Sequence, residues 1–214
     1  MNKITLHYIY DPYCGWCYAA APLIEIAANH PNIQLELHGG GMLAGDSRLH
    51  LDDQFRQYIM QSDKRIAAMT GQIFGDDYIN MLHEPNLVMD STPPQTAILA
   101  ATKQGKGVEM LKAIQKAHYI SGRHIKEPQT LSAIANEISL DSEKYQQDYV
   151  LSEQAETAAH IQNSKKLLAQ SSSSGFPTLL IKQQDKWLKV PLQNYLGDST
   201  KWQQFLDSLV TAAN

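Results

Sequence analysis

Apolar and polar positions alternate clearly enough along this chain to divide it into elements before any residue chemistry is considered. Lys3 to Tyr10 is β-branched or aromatic at most positions, the pattern of an interior strand. Pro12 ends it, because proline has no N–H for a sheet ladder and biases Asp11 toward an extended backbone. Residues 14 to about 29 are alanine-rich, with Leu23, Ile24 and Ile26, and read as a buried helix. Pro22 falls inside it, deprives the Tyr18 carbonyl of its usual partner and is expected to kink the helix. Asn32 to His38 then alternates Ile33, Leu35 and Leu37 with polar residues, a strand with one face inward. Gly39-Gly40-Gly41 reads as a flexible exit from the sheet; the Lys-Ser/Thr of a phosphate loop and the spacing of a dinucleotide fingerprint are both missing.

From Ser47 to about Gln170 the period is helical. Phe55, Tyr58, Ile59, Ser62, Ile66 and Met69 share one spacing, with Gly71 placed to end that helix. A second helix is expected from Thr92-Pro93 to Gly105, a third through Val108, Leu111, Ile114 and Ala117 to about Gly122, and a fourth through Leu131, Ile134, Ala135 and Ile138 after Pro128. Asp141 and Ser152 are plausible caps for the helices that follow, up to Leu168. Met42, Met60, Met69, Met81, Met89 and Met110 lie around this region, chiefly as core filling. Ser171 to Ser174 form a linker, and Gly175 to Ile181 returns to strand character. A proline heading an otherwise interior strand is accounted for by a cis Phe176–Pro177 bond in a tight turn. Trp187 to Val190 is a further strand, with Gln183 to Lys186 as its hairpin turn, and Trp202, Phe205, Leu206 and Leu209 define a closing helix begun at Asp198-Ser199-Thr200.

The expected order is strand, helix, strand, long helical segment, strand, strand, helix. It divides the chain into residues 1–46 with 171–214, and an inserted helical domain over 47–170. At 214 residues the chain is long enough to bury a full core. A net charge of −4 with both signs well mixed gives no basic stripe for nucleic acid and no acidic tail. No run approaches the roughly 18 apolar residues of a membrane span. Met1-Asn2-Lys3 leads to the Asp11-Pro12 turn too quickly for a secretory signal, so a cytoplasmic location is expected.

The chain's two cysteines, Cys14 and Cys17, stand two residues apart where the first strand gives way to the first helix. That spacing lets both sulfurs meet over the first helical turn, so a disulfide forms and breaks with little backbone movement. Unpaired N–H groups and the positive end of the helix dipole favour thiolate there, and in such motifs a thiol pKa falls from about 8.5 to roughly 3.5–7.5. Cys14, nearer the turn, is the expected nucleophile, and Cys17 the resolving thiol. A zinc site normally draws four Cys or His ligands. Here there is no second cysteine pair, and none of His7, His30, His38, His50, His83, His118, His124 and His160 stands three to five residues from another. No metal and no cofactor are expected. A purely structural disulfide leaves the strand and helix signals on either side unexplained.

A Cys-x-x-Cys opening the first helix, a proline five residues on (Pro22) and a proline heading the third strand (Pro177) resemble the thioredoxin fold. The all-helical insertion between the second and third strands resembles its DsbA-like branch. Asp11-Pro12-Tyr13-Cys14-Gly15-Trp16-Cys17-Tyr18 is similar to the motif of the predicted protein-disulfide isomerases close to the FrnE-like group. The resemblance implies an α/β thioredoxin-like fold carrying that insertion. It implies Cys14 attacking and Cys17 resolving, with Gly15 and Trp16 tuning the reduction potential. Pro177 would stand beside the disulfide, Phe176 would offer backbone hydrogen bonds to an extended substrate, and Tyr13 would flank it.

Gly-Trp replaces the Pro-His of strongly oxidising periplasmic members, which turns the expectation toward a reductase or isomerase acting on protein or small-thiol disulfides. Glutathione or a thioredoxin-type system would recycle it. Two other readings stand beside this one. Kappa-class glutathione transferases and hydroxychromene-carboxylate isomerases share the branch but typically lack the paired cysteines. A non-enzymatic redox-sensing module would use the disulfide only to switch shape.

Overall fold

The computed structural model describes residues 3–183 and 186–212. Met1 and Asn2, from which part of the expectation about targeting is drawn, and Gln184 and Asp185, in the expected hairpin turn, lie outside the described residues. Four strands, β1 (Ile4–Tyr10), β2 (Ile33–Gly39), β5 (Thr178–Gln183) and β6 (Lys186–Val190), form one sheet in the order β2-β1-β5-β6. β1 and β2 are parallel, while β5 runs antiparallel to both of its neighbours. The parallel pair is joined by helix α1 (Gly15–Asn29), as a parallel connection requires a crossover.

Helices α2 (Asp53–Thr70), α3 (Asp76–Leu82), α4 (Thr92–Thr102), α5 (Gly107–Tyr119), α6 (Pro128–Glu137), α7 (Ser142–Leu151) and α8 (Thr157–Gln170) separate β2 from β5, and α9 (Ser199–Ala212) closes the chain. The insertion also holds a short antiparallel ribbon, β3 (Leu49–His50) with β4 (Val88–Met89), too short to carry a pattern. Asp141 caps α7, its carboxylate accepting the Lys144 N–H at 2.9 Å, and Gly71 ends α2 at φ 73°. Ser152 is the C-cap of α7 and does not open the following helix, whose N-cap is Glu156. Ser152 lies in a π-helical turn, Ser152–Glu156, that joins α7 to α8, and its hydroxyl bonds the Glu156 carboxylate at 2.8 Å.

The period-2 pattern of the strands gives the sheet two different faces. Leu6, Tyr8 and Tyr10 of β1 join Ile33, Leu179 and Ile181 in the main core, which continues into Leu23 and Ile24 of α1, Ala97 and Ile98 of α4, Met110 and Ile114 of α5, and Trp202 of α9. The two segments of the chain therefore share this core. On the other face Ile9 and Leu180 pack against Leu167 and Leu168 of α8. Among the methionines, Met81, Met89 and Met110 are core, whereas Met69 is 55 % exposed. Phe55 and Tyr58 are exposed too, so the apolar spacing in α2 predicts the helix but not which side of it is covered.

Gly39-Gly40-Gly41 departs from the expected flexible exit. All three residues are buried. A β-carbon on Gly39 would meet the Gln95 side chain at 1.8 Å, and Gly41 adopts φ 61° with Ile161 2.7 Å from where its β-carbon would lie. These glycines admit neighbours rather than loosen the chain.

Candidate active site

β1 delivers the chain to the site through Asp11, whose side chain is fully buried. Its carboxylate accepts the Tyr13 N–H at 3.0 Å, the Met42 N–H at 2.6 Å and the Ser91 hydroxyl at 2.9 Å. One acidic side chain thereby ties the end of β1 to the segment after β2 and to the start of α4. Burial raises its carboxyl to about 6 against the pull of those three donors. The Asp11 backbone carbonyl accepts the Cys14 N–H at 3.1 Å, closing the turn that starts the helix.

Cys14 is the N-cap of α1, extended at φ −83° and ψ 110°, and its side chain makes no capping hydrogen bond. Its sulfur instead faces Phe176, donating to that residue's carbonyl oxygen at 3.6 Å. The Phe176–Pro177 bond is cis, as expected. Both cysteines are free thiols, Cys14 7 % exposed and Cys17 fully buried. Burial pushes the Cys17 thiol up, and a hydrogen bond with the neighbouring Cys14 adds to this. The result is a nearly buried outer thiol facing the Phe176 carbonyl and a fully buried inner thiol held protonated behind it.

The intervening residues have distinct surroundings. A β-carbon on Gly15 would lie 3.0 Å from Ile66 Cδ1 and 3.2 Å from Asp63 Oδ1, so α2 closes over the turn at this point. Trp16 is half-buried and packs on the main core. The Tyr13 ring stands edge-on to His118 at 4.9 Å. Tyr18, directly after the motif, stacks on Tyr119 at 4.6 Å, and its hydroxyl donates to the Ile73 carbonyl at 2.9 Å. Cys14, Cys17 and Phe176 thus lie together, while Tyr13 is engaged with the helical insertion. Ser91 and Asp63 give no local signal in the sequence, and Asp11 gives one only through its place in the motif.

The description "DSBA-like thioredoxin domain" fits residues 5–205 of the sequence. The chain belongs to that family. Cytosolic disulfide reductase DsbM from Pseudomonas aeruginosa is 36% identical and superposes with a TM-score of 0.91, over 98% of this chain and 100% of that one. The same reductase solved with GSH superposes at 0.89, again 36% identical, over 97% and 100% of the two chains. ClpXP adapter protein SpxH of Bacillus subtilis (strain 168) is 26% identical over 204 residues, covering 89% of this chain and 63% of the adapter. The chain thus spans somewhat under two thirds of that curated relative. As a DsbA-like chain it has the fold of a thiol–disulfide oxidoreductase, with Cys14 and Cys17 close together. Among the described residues no helix is long and apolar enough to cross a membrane.

Proposed function

We propose that this protein is a dithiol–disulfide reductase in which Cys14 attacks and Cys17 resolves. The observation that carries the reading is the position of the Cys14 sulfur, uncommitted to capping and 3.6 Å from the Phe176 carbonyl, with the Cys17 thiol buried behind it. As a thiolate, Cys14 attacks one sulfur of a substrate disulfide. A mixed disulfide forms and the other substrate sulfur leaves as thiolate, taking up a proton. Cys17 then loses its proton and attacks Cys14, so the Cys14–Cys17 disulfide forms as the second substrate thiol departs. The substrate is reduced by two electrons and the protein is oxidised by two. An external thiol returns it to the dithiol form.

Gly15 and Trp16 tune the potential in this reading, and Phe176 and Pro177 receive an extended substrate, with the Phe176 carbonyl as an acceptor for its backbone. The reductase DsbM, solved with GSH and named as cytosolic, supports glutathione as the recycling thiol and a cytoplasmic location. Protein or small-thiol disulfides are the substrates.

The test is reduction of insulin disulfides. Cys14→Ser abolishes turnover, and Cys17→Ser accumulates mixed disulfides; full activity in Cys14→Ser would overturn the assignment. Equilibration against glutathione redox buffers then fixes the direction, since a potential near about −270 mV belongs to a reductase and one near about −120 mV to an oxidant. The similarity to SpxH favours a second reading, a binding adapter. That reading requires partner binding to survive replacement of both cysteines by serine.

A further inference from the structure

The strand register brings His7 of β1 against two side chains of β2, Glu36 and His38. His7 stands directly opposite Glu36 in the parallel β1–β2 pair, and Ile9 opposite His38. Alternation then places His7, Glu36 and His38 on one face, the one turned away from the main core. His7 Nδ1 is 3.0 Å from His38 Nε2 and 3.2 Å from Glu36 Oε2, and the latter two atoms are 3.9 Å apart. Tetrahedral Zn²⁺ with bonds of about 2.0–2.1 Å holds its ligand atoms roughly 3.3 Å from one another. The triangle already has the dimensions of one face of that shell.

The surroundings hold the two rings in place without occupying this point. Trp187 stands edge-on to the His7 ring at 4.9 Å, and His160 stacks on His38 at 6.4 Å. His160 is itself turned to the backbone, where its Nε2 accepts the Gly39 N–H at 2.9 Å. Burial keeps both rings in the neutral form that ligates: it lowers His7 in spite of Glu36, and it lowers His38 to about 4 with His7 and His160 adding to the effect. Lys182, whose ammonium lies over Trp187 at 5.6 Å, opposes a cation and is the weakest of the influences on His7. A surface cavity of about 420 Å³, lined by Lys3, Thr5, His7, Glu36, Lys182 and Gln183 among others, adjoins the cluster.

We propose that His7 Nδ1, Glu36 Oε2 and His38 Nε2 form a site for a first-row divalent metal ion, suited to Zn²⁺, with a fourth position open to water or a small ligand from the adjoining cavity. No residue of the Cys-Gly-Trp-Cys turn takes part, so the site stands or falls independently of the proposed reductase chemistry. Its ligands escape a search by sequence spacing because they come from two strands rather than from one helix or loop.

The experiment uses the full chain carrying Cys14→Ser and Cys17→Ser, which removes thiolate binding. Titration with Zn²⁺ against a chromophoric chelator is expected to give one equivalent per chain. Co²⁺ is expected to give the visible bands of a tetrahedral nitrogen–oxygen site with no thiolate charge-transfer band. His38→Ala removes the equivalent. Glu36→Gln, at a half-exposed side chain where folding is retained, weakens binding at least about 10–100-fold, the range seen even for outer-sphere losses. No bound equivalent would overturn the proposal, as would an affinity unchanged by Glu36→Gln, which decides the matter should His38→Ala fail to fold.

Discussion

A β-carbon on Gly40 would fall 2.0 Å from Cε1 of the Phe176 ring and 2.2 Å from its Cζ. The Gly40 backbone has little room to withdraw, because its N–H donates to the Tyr10 carbonyl at 2.8 Å. The glycine after β2 is therefore a seat for the ring of the residue whose backbone carbonyl meets the Cys14 sulfur. Gly40→Ala is expected to displace Phe176 and the acceptor it presents. Thermal melts should show a loss of about 1–3 kcal/mol, the usual range for overpacking. Insulin-reduction rates should fall together with stability. Wild-type rate and melting temperature in Gly40→Ala would show that the ring has another place to go.

A second packing relationship holds the helix that carries the cysteines. Trp202 of α9 is fully buried, and its indole N–H donates to the Leu23 carbonyl of α1 at 2.7 Å. Trp202→Phe removes ring volume and a buried hydrogen bond at once. Its cost is expected to be on the order of 2–4 kcal/mol from the cavity and the lost donor together. Chemical denaturation measures this directly, and a loss under about 1 kcal/mol would mean that α1 is held in place without this bond.

Local pattern reached those features that a few neighbouring residues determine. β1 and α1 follow from composition, β2 and the closing helix from the spacing of apolar residues, the Asp141 and Gly71 caps from single residues, and the cysteine pair from its spacing. Features decided by distant contacts left no such trace. α3 is only seven residues long and is buried through Tyr78, Met81 and Leu82 against a second aromatic cluster, not through a long apolar stripe. Asp63 sits on an otherwise polar stretch of α2 but is buried because α2 leans over Gly15. The glycine triplet reads as looseness until Gln95, Phe176 and Ile161 are placed against it. The His7–Glu36–His38 grouping needs the β1–β2 register, which the periodicity of either strand alone does not give.

Gly15 offers a more graded test of the contact between α2 and the cysteine turn. The atoms a new methyl would meet, Ile66 Cδ1 at 3.0 Å and Asp63 Oδ1 at 3.2 Å, are the ends of side chains and can yield by a few tenths of an ångström. Gly15→Ala is therefore expected to change stability by no more than about 1 kcal/mol, because the helix gains alanine's propensity while the contact tightens. Adding Ile66→Val, which clears the crowded position, should recover stability relative to the sum of the two single changes. A double-mutant cycle reads that coupling, and strict additivity would show that α2 does not press on the turn.

Asp63 itself gives a pH dependence that one substitution isolates. Its buried carboxyl accepts the Tyr78 hydroxyl at 2.9 Å, and burial outweighs that hydrogen bond to raise it from 3.8 to about 6. A carboxyl raised on folding binds its proton more tightly in the folded chain. Its contribution is therefore fully present at low pH and is lost as pH rises from about 4 to about 6. Asp11 acts in the same direction, and the lowered histidines His7, His38, His118 and His160 act oppositely, destabilising the fold as pH falls below their ordinary 6.5. The difference between Asp63→Asn and wild type isolates Asp63. Urea denaturation should find the two nearly equal at pH 4 and the variant more stable at pH 7, by on the order of 2 kcal/mol, since the amide oxygen still accepts from Tyr78 and carries no charge to desolvate. A difference that stays constant between those two pH values would mean that Asp63 ionises in the folded protein as it does in water.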